Sequence, residues 1–210
     1  MTLRLNGSTS GYTEIDAPAV AGSNTLVLPT GAGSAYQVVR NGATAGSLEF
    51  TDKIVSGTAQ NSTSGTSIDF TGIPSWVKRV TVMFGGTSSN GTSNWQVRLG
   101  TSAGVVSTGY LGSSSYSGGV NATAGLNSTT GLLFIIGGSA QIIHGSVTFN
   151  LLNSSTNYWI GQGVLGDSSQ AYTFSAAASV TLPGTLDRVR ITTVNGTDTF
   201  DAGSINILTE

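Results

Sequence analysis

The sequence predicts an all-β protein, and three observations lead to that prediction. Valine, isoleucine, threonine and aromatic residues alternate with polar residues in short runs, which is the period expected of half-buried strands. Glycine, asparagine and serine separate these runs, as turns between strands require. Alanine, leucine, glutamate and lysine are nowhere concentrated at the 3.6-residue spacing of an amphipathic helix.

Residues 1–55 contain short β-like fragments that are separated by turns containing glycine and proline. These fragments are Leu3–Leu5, Tyr12–Ile15, Thr25–Leu28, Tyr36–Val39 and Ser47–Phe50. Large apolar side chains are too few in this segment to form an independent core. We therefore expect a short, extended β stalk or anchor that buries its apolar side chains against other chains.

Residues 56–65 are mostly serine, glycine, threonine and asparagine, a composition typical of a linker. Residues 66–210 are then expected to form a jelly-roll-like β-sandwich head, because strand-like runs recur along the whole segment. The clearest run is Arg79–Phe84, in which Val80, Val82 and Phe84 share one face. The expected strands are Thr66–Phe70, Arg79–Phe84, Trp95–Leu99, Val105–Leu111, Leu132–Ile136, Gln141–Leu152, Tyr158–Leu165, Ala171–Leu182, Arg188–Thr192 and Ser204–Leu208.

Charge is scarce throughout the chain, and residues 99–166 carry no Lys, Arg, Asp or Glu. Charged residues make up 9% of the sequence and the net charge is −2, whereas about 25% is usual in soluble proteins. Catalysis needs polarised groups, and nucleic-acid binding needs basic patches. The sequence therefore predicts a structural or adhesive protein, with no enzymatic activity, no cofactor and no nucleic-acid partner.

Membrane insertion is not expected either. The longest apolar run, Leu132–Ile136, is far shorter than the roughly 20 residues that a membrane-spanning helix needs. Met1–Asn6 lacks the long apolar segment of a secretory signal, so we expect synthesis in a cytoplasm. The sequence has no cysteine, so its stability must come from packing or from oligomerisation.

Gly100–Gly104 matches the G-x-S-x-G sequence pattern of a nucleophile elbow, which is a catalytic motif. That motif requires a following helix and then an acid before the histidine. β-like residues follow instead, and no acid separates Ser102 from His144, the one histidine of the chain. We interpret the motif as a hairpin turn and His144 as an ordinary strand residue.

The carboxylates also favour structural roles. Glu14 and Asp16 share one strand face, but they lie in a segment too poor in core residues to protect a catalytic acid. Asp198 and Asp201 are too few for the six to eight oxygen ligands, approximately, that calcium takes, so turn-forming roles are expected. The sequence therefore predicts no metal site.

Neutral polar runs with glycine are the expected contact loops of the head, namely Thr87–Asn94 and Ser113–Ser128. Tyrosine and tryptophan beside asparagine and serine can bind sugars by stacking and neutral hydrogen bonds, although packing is the commoner use of each one. The candidate receptor-contact residues are Thr87, Asn90, Asn94, Tyr116, Asn121 and Asn127.

Four stretches of the sequence resemble a known group of proteins. Residues 5–31 and 33–39 are similar to a segment that recurs in fibre and appendage proteins of tailed bacteriophages, notably cyanophages and other marine phages. Residues 73–84 and 186–207 are similar to the terminal domains of phage tail-fibre proteins. Together these stretches cover about a third of the chain, in both its N-terminal and its C-terminal parts.

This resemblance implies a homotrimeric virion component, in which residues 1–55 contact other virion proteins and the sandwich forms a distal head. The leading expectation is a short tail fibre that attaches the virion to the host surface by non-catalytic binding, with a host-surface glycan as one candidate ligand. The alternative is a decoration or head-fibre protein that stabilises or ornaments the capsid. An enzymatic tailspike ranks third, since it would need a pair of positioned carboxylates.

Overall fold

The computed structural model describes residues 3–15, 18, 20, 22–23, 25–34, 37–51, 54–118 and 122–210. Every regular element formed by these residues is a β-strand, so the all-β prediction is confirmed.

The chain divides into a first unit, residues 1–53, and a second unit, residues 54–210. The strands of the first unit are β1 (Leu3–Asn6), β2 (Tyr12–Ile15), β3 (Val38–Asn41) and β4 (Leu48–Thr51). Those of the second unit are β5 (Val55–Ser56), β6 (Gln60–Asn61), β7 (Ser67–Thr71), β8 (Arg79–Ser89), β9 (Trp95–Thr101), β10 (Gly104–Val105), β11 (Leu111–Gly118), β12 (Ala122–Ser128), β13 (Leu132–Phe134), β14 (Ile143–Asn153), β15 (Tyr158–Asp167), β16 (Tyr172–Thr181), β17 (Arg188–Thr193) and β18 (Phe200–Thr209).

The first unit consists of two separate antiparallel pairs, β1 with β2 and β3 with β4. The expected strand at Thr25–Leu28 is reduced to one parallel bridge between Val27 and Ser47. The start of the expected strand at Tyr36 lies outside the described residues. No described residue of this unit is buried, which agrees with the prediction that the segment has no core of its own.

Polar contacts across the strands hold these hairpins in register. Arg4 stands opposite Glu14 and forms a salt bridge with it, and its guanidinium lies 4.0 Å from the centroid of the Tyr12 ring. Arg40 and Glu49 form an equivalent cross-strand pair at 3.0 Å. Glu14 is therefore engaged by an arginine, as a structural carboxylate would be, while Asp16 lies outside the described residues.

The second unit contains two antiparallel sheets that pack on one hydrophobic core. The nine-stranded sheet has the order β12-β11-β16-β15-β14-β8-β18-β5, with β6 also paired to β18. The five-stranded sheet has the order β10-β9-β17-β7, with β13 also paired to β9. The head is thus a two-sheet structure, as the sequence predicts, and its jelly-roll connectivity stays a prediction.

Strand alternation supplies the core residues of both sheets. Val80, Val82 and Phe84 of β8 are buried while Arg79 is exposed, so the predicted face of this strand is confirmed. Aromatic rings join the two sheets, because Trp95 of β9 lies 6.3 Å from the Phe84 ring and 5.2 Å from the Phe200 ring of β18. These contacts fix the two sheets against each other.

The expected linker at 56–65 is instead part of the second unit. β5 and β6 both pair with β18, and the Gly57 amide donates to the Ile207 carbonyl at 2.8 Å. Ser62 is completely buried and donates its hydroxyl to the Ala202 carbonyl at 2.7 Å. The polar composition suits this role because the segment forms a sheet edge, where backbone hydrogen bonds rather than apolar side chains hold it.

The connection between β9 and β11 also differs from the expected strand at Val105–Leu111. Only Gly104–Val105 pairs there, as β10, and the chain then passes Tyr110 before β11 begins. Tyr110 is completely buried, and its hydroxyl accepts a hydrogen bond from the Leu99 amide at 2.7 Å. Burial raises the pKa of Tyr110 to about 12, so the hydroxyl stays neutral. This bond anchors the connection to β9.

Candidate functional site

Register places several loops at one end of the nine-stranded sheet, called the loop end below. Thr87 stands opposite Ile143, Ile143 opposite Asp167, and Asp167 opposite Tyr172 along four successive strands. Gly118 of β11 continues this row beside Tyr172. The chain enters the second unit at the other end of the sheet, where Val55 pairs with Thr209 and Thr209 with Val80.

The expected contact loop at Thr87–Asn94 is wrong for its first three residues. Thr87, Ser88 and Ser89 continue β8 because β18 pairs with the strand as far as Ser89. Thr87 is completely buried, and its hydroxyl donates to the Ser204 carbonyl at 3.3 Å. A receptor cannot reach this side chain, so Thr87 is withdrawn from the candidate contact residues.

Asn90–Asn94 is a loop, as predicted, and it packs against the loop between β17 and β18. The exposed Asn90 side chain accepts a hydrogen bond from the Thr199 amide at 2.9 Å, and the half-buried Asn94 accepts one from the Val194 amide at 2.8 Å through its carbonyl. These bonds give the loop a fixed shape at the loop end.

Asp198 holds the same two loops together. Its carboxylate accepts hydrogen bonds from the Asn195 side chain at 2.6 Å and from the Ser93 amide at 2.9 Å. These bonds, the one from Asn195 first, lower the pKa of Asp198. The expected turn-forming role of Asp198 is therefore confirmed. Asp201 accepts instead from the Ser88 hydroxyl.

The expected contact loop at Ser113–Ser128 is a hairpin of two strands, β11 and β12. Serine and glycine form strands here because β16 pairs with the whole length of β11. Tyr116 and Asn127 lie on opposite faces of the hairpin, since Tyr116 pairs with Ala124 and Asn127 with Ser113. Asn127 is exposed, and Asn121 lies outside the described residues. The structure thus does not unite the candidate residues in one site.

Tyr116 instead belongs to a cavity at the loop end, called the aromatic pocket below. Tyr116, Tyr172 and Phe174 share the inner face of the nine-stranded sheet, and Tyr116 stands directly opposite Phe174. The two tyrosine rings meet edge to face at 5.9 Å, and each lies 6.4 Å from the Phe174 ring. The cavity has a volume of about 410 Å³, within the ~300–1,000 Å³ usual for small-molecule sites.

Two further segments complete the aromatic pocket. The loop between β13 and β14 contributes Gly137, Gly138 and Gln141, and the turn between β15 and β16 contributes Gln170. Gln141 is 5% exposed, and its Oε1 accepts a hydrogen bond from the Gly138 amide at 2.9 Å. The lining residues include two carboxamides and two phenols but no charged side chain.

Asp167 fixes these two segments relative to each other. Its Oδ1 accepts hydrogen bonds from the Ile142 amide at 3.1 Å and the Ser169 amide at 2.8 Å. Burial acts to raise the pKa of Asp167, but the hydrogen bonds from Ser169, Ile142 and Gln170 outweigh it and lower the pKa. The buried carboxylate is therefore ionised at neutral pH and acts as a positioning group.

The sequence motifs with catalytic form have structural roles. Gly100–Gly104 spans the tight turn between β9 and β10, as expected. His144 is an exposed residue of β14 whose Nδ1 accepts a hydrogen bond from the Gly86 amide at 3.2 Å. Within the described ranges, no group of three or more His, Cys, Asp or Glu side chains could hold a metal ion.

The outer face of the nine-stranded sheet presents a second neutral surface, called the outer groove below. Two adjoining depressions of about 630 and 600 Å³ share Ser113, Gln162 and Ala177. Serine, alanine and glycine predominate in them, and neither is lined by a charged residue. The small residues of β16 are visible in the sequence and indicate a face without bulky side chains. The width of the outer groove depends on which strands lie beside β16, and the sequence does not show that order.

None of the residues that the structure describes forms a helix with the length and hydropathy of a membrane span. Neither the comparison with protein-family models nor the comparison with curated proteins gives a match for this chain.

Proposed function

We propose that the chain is a structural protein of a bacteriophage virion, a short tail fibre that attaches the particle to its host by non-catalytic binding. The observation that carries this proposal is the position of an uncharged aromatic pocket and the Asn90–Asn94 loop at the same end of the second unit. The chain enters that unit at the opposite end. Such an arrangement suits end-on contact with a surface, and the resemblance of both chain ends to tail-fibre proteins supplies the virion context.

Binding without catalysis is supported by the groups at the loop end. The Asp167 carboxylate is held by backbone amides, and the Asp198 carboxylate by Asn195 and Ser93. Glycoside hydrolysis instead needs two free carboxyl groups on either side of the scissile bond. Incubating the purified chain with host envelope polysaccharide should release no reducing ends, and their appearance would contradict the proposal.

A homotrimer anchored through residues 1–55 is part of the proposal. Leu3, Leu5, Ile15, Leu26 and Leu28 are each more than half exposed. Copies of the same segment around a threefold axis would cover them and leave no open sheet edge to template aggregation. Light scattering of the purified chain should give about three times the mass of 21.2 kDa, as closed threefold symmetry requires. A monomer at micromolar concentration would contradict this part.

The attachment function is tested on particles of the phage that encodes the chain. Cryo-electron microscopy with an antibody fragment against the second unit should label the tail. Pre-incubating host cells with the purified chain should reduce adsorption of the particles. Absence of the protein from purified particles, or unchanged adsorption, would contradict the tail-fibre proposal.

The second candidate function, capsid decoration, is favoured by the outer groove. A broad, uncharged face of small side chains can pack on a protein shell without desolvating ions, a step that costs several kcal/mol per ion. Label on the capsid rather than the tail, together with unchanged adsorption, would favour this candidate over the first.

A further inference from the structure

We propose that the aromatic pocket binds one uncharged pyranose ring of a glycan, with the sugar face on the Tyr172 ring and its hydroxyl groups on the two glutamines. This inference rests on the proposed attachment function only for the source of the glycan. The binding itself is a property of the second unit, and it can be measured in the absence of any virion.

Three aromatic rings line the aromatic pocket, and the two tyrosine rings are nearly perpendicular to each other. Phe174 is 1% exposed and forms the base, while Tyr116 and Tyr172 are only partly buried. Neither tyrosine makes a hydrogen bond through its hydroxyl within the described part of the chain, although partly buried tyrosines usually have such a partner. An apolar face with two free phenols on its rim matches a pyranose, whose C–H face is apolar and whose edge carries hydroxyl groups.

Gln141 supplies a hydrogen-bonding group to the pocket. Its side chain is almost fully buried, and its Oε1 is occupied by the Gly138 amide. Its Nε2 donates to none of the described residues, and Gln141 lines the cavity. An amide NH₂ is a hydrogen-bond donor, so a ligand oxygen in the pocket can accept from it in place of water.

Charge determines which ligand class fits. No lining residue is charged, and the nearby Asp167 carboxylate is held by Ile142 and Ser169. An anionic sugar or a nucleotide would enter a partly dry cavity without a counter-charge, which is costly. A neutral sugar needs only hydrogen-bond donors and acceptors, and Gln141, Gln170 and the two tyrosines provide both.

A proline-rich peptide is the competing occupant, because such peptides also dock on aromatic surfaces. Those peptides lie in an extended groove, whereas this cavity is bounded by the turn at Gln170 on one side and the loop at Gly137–Gly138 on another. Its dimensions therefore favour a single ring.

The test uses the full chain and saturation-transfer NMR with the methyl glycosides of glucose, galactose, mannose and N-acetylglucosamine. At least one glycoside at millimolar concentration should receive saturation at its ring protons. Tyr172→Ala should weaken that binding about tenfold or more, which corresponds to about 1.4 kcal/mol. Gln170→Ala, at an exposed turn position that tolerates truncation, should weaken it several-fold without lowering the melting temperature.

Tyr158→Ala is the matched control, since it removes a partly exposed tyrosine of the same sheet outside the aromatic pocket. It should leave glycoside binding unchanged. Absence of saturation transfer to all four glycosides would overturn the inference, as would equal binding by the folded Gln170→Ala and wild-type chains, or saturation of a polyproline peptide in place of the sugars. Glycoside binding combined with unchanged phage adsorption would support the pocket and contradict the attachment function.

Discussion

The two units of the chain are both built from antiparallel hairpins, but they differ in what their apolar side chains contact. In the first unit Leu3, Leu5 and Ile15 lie on a two-stranded ribbon and remain exposed. In the second unit side chains of the same kind, such as Val80 and Leu99, are completely enclosed between two sheets. The difference shows that strand pairing alone does not make a core. A second layer is needed, and in the proposed homotrimer other copies of the chain would supply it for the first unit.

The largest expected difference comes from truncating one large apolar side chain in each unit. Phe149→Ala should lower the free energy of unfolding of the second unit by about 3–5 kcal/mol, because Phe149 is 1% exposed. Leu5→Ala should change it by less than about 0.5 kcal/mol, because Leu5 is 53% exposed. Urea unfolding followed by tryptophan fluorescence reports the second unit, since all three tryptophans lie there.

Equal destabilisation by the two substitutions would contradict the difference in packing between the units. Gly161→Ala tests the same core by adding an atom, because its Cβ would lie 2.4 Å from the Phe149 ring. This insertion should also destabilise the second unit, by about 1–3 kcal/mol.

The second prediction concerns where the second unit begins. Residues 54–210 should show the same fluorescence transition as the full chain, because the first unit contributes no buried residue among those described. Residues 66–210 should be less stable by about 2–5 kcal/mol, since several hydrogen bonds worth about 1 kcal/mol each are lost. Those bonds include Gly57 to Ile207 and Ser62 to Gly203. Equal stability of the two fragments would mean that 56–65 acts only as a linker.

The sequence predicts those parts of the fold in which alternation is strong and local. Val80, Val82 and Phe84 reveal their shared face by spacing alone. Most of β11 lies within the expected contact loop Ser113–Ser128, because its serine- and glycine-rich sequence has low strand propensity. Its pairing depends on β16, about 60 residues away, where the absence of a side chain at Gly112 leaves room for the Ala178 methyl group. β5 and β6 depend in the same way on β18, at the other end of the second unit.

The aromatic pocket was only partly predictable. Tyr172 and Phe174 are two positions apart, so the sequence implies that they share a strand face. Tyr116 joins them only through the register of β11 against β16. Gln141 and Gln170 arrive on separate loops, and Asp167 brings those loops together. No local pattern contains that information, because the contacts span residues 116–174.

A smaller effect is expected at Asp167, the polar group that fixes two loops of the second unit. Asp167→Asn should lower the free energy of unfolding by about 1–2 kcal/mol at neutral pH, through weaker hydrogen bonds to Ser169 and Ile142. Because the folded pKa is lowered, the carboxylate stabilises the fold above its ordinary pKa of 3.8, and this contribution is lost as the pH falls through the folded pKa. The difference between the variant and the wild type should therefore shrink in acid, and a constant difference would contradict this role.

The smallest effects are expected from substitutions in the arginine–carboxylate ion pairs. Each unit contains such pairs of its own. Asp69 receives two hydrogen bonds from Arg190, at 2.7 and 2.6 Å, and they raise the pKa of Arg190. Both side chains are about one-third exposed, so Asp69→Asn should cost at most about 1 kcal/mol, and less at high salt. Arg4→Met, which breaks the exposed pair with Glu14 in the first unit, should leave the fluorescence transition unchanged. A salt-independent loss at Asp69 would show that the pair has a packing role.

The position of β18 has a consequence for synthesis on the ribosome. β18 lies between β8 and the β5–β6 edge, and its Thr209 pairs with Val80, which is translated much earlier. At ~5–20 residues per second, the intervening chain takes about 6 to 26 s to be made. Both edges of β8 are open until β14 is made, and the edge that β18 will occupy stays open for the whole interval and can pair with a nearby nascent strand. On a polysome the nearest strands belong to copies of the same chain, so we expect premature pairing between copies at the open edge of β8 until β18 covers it.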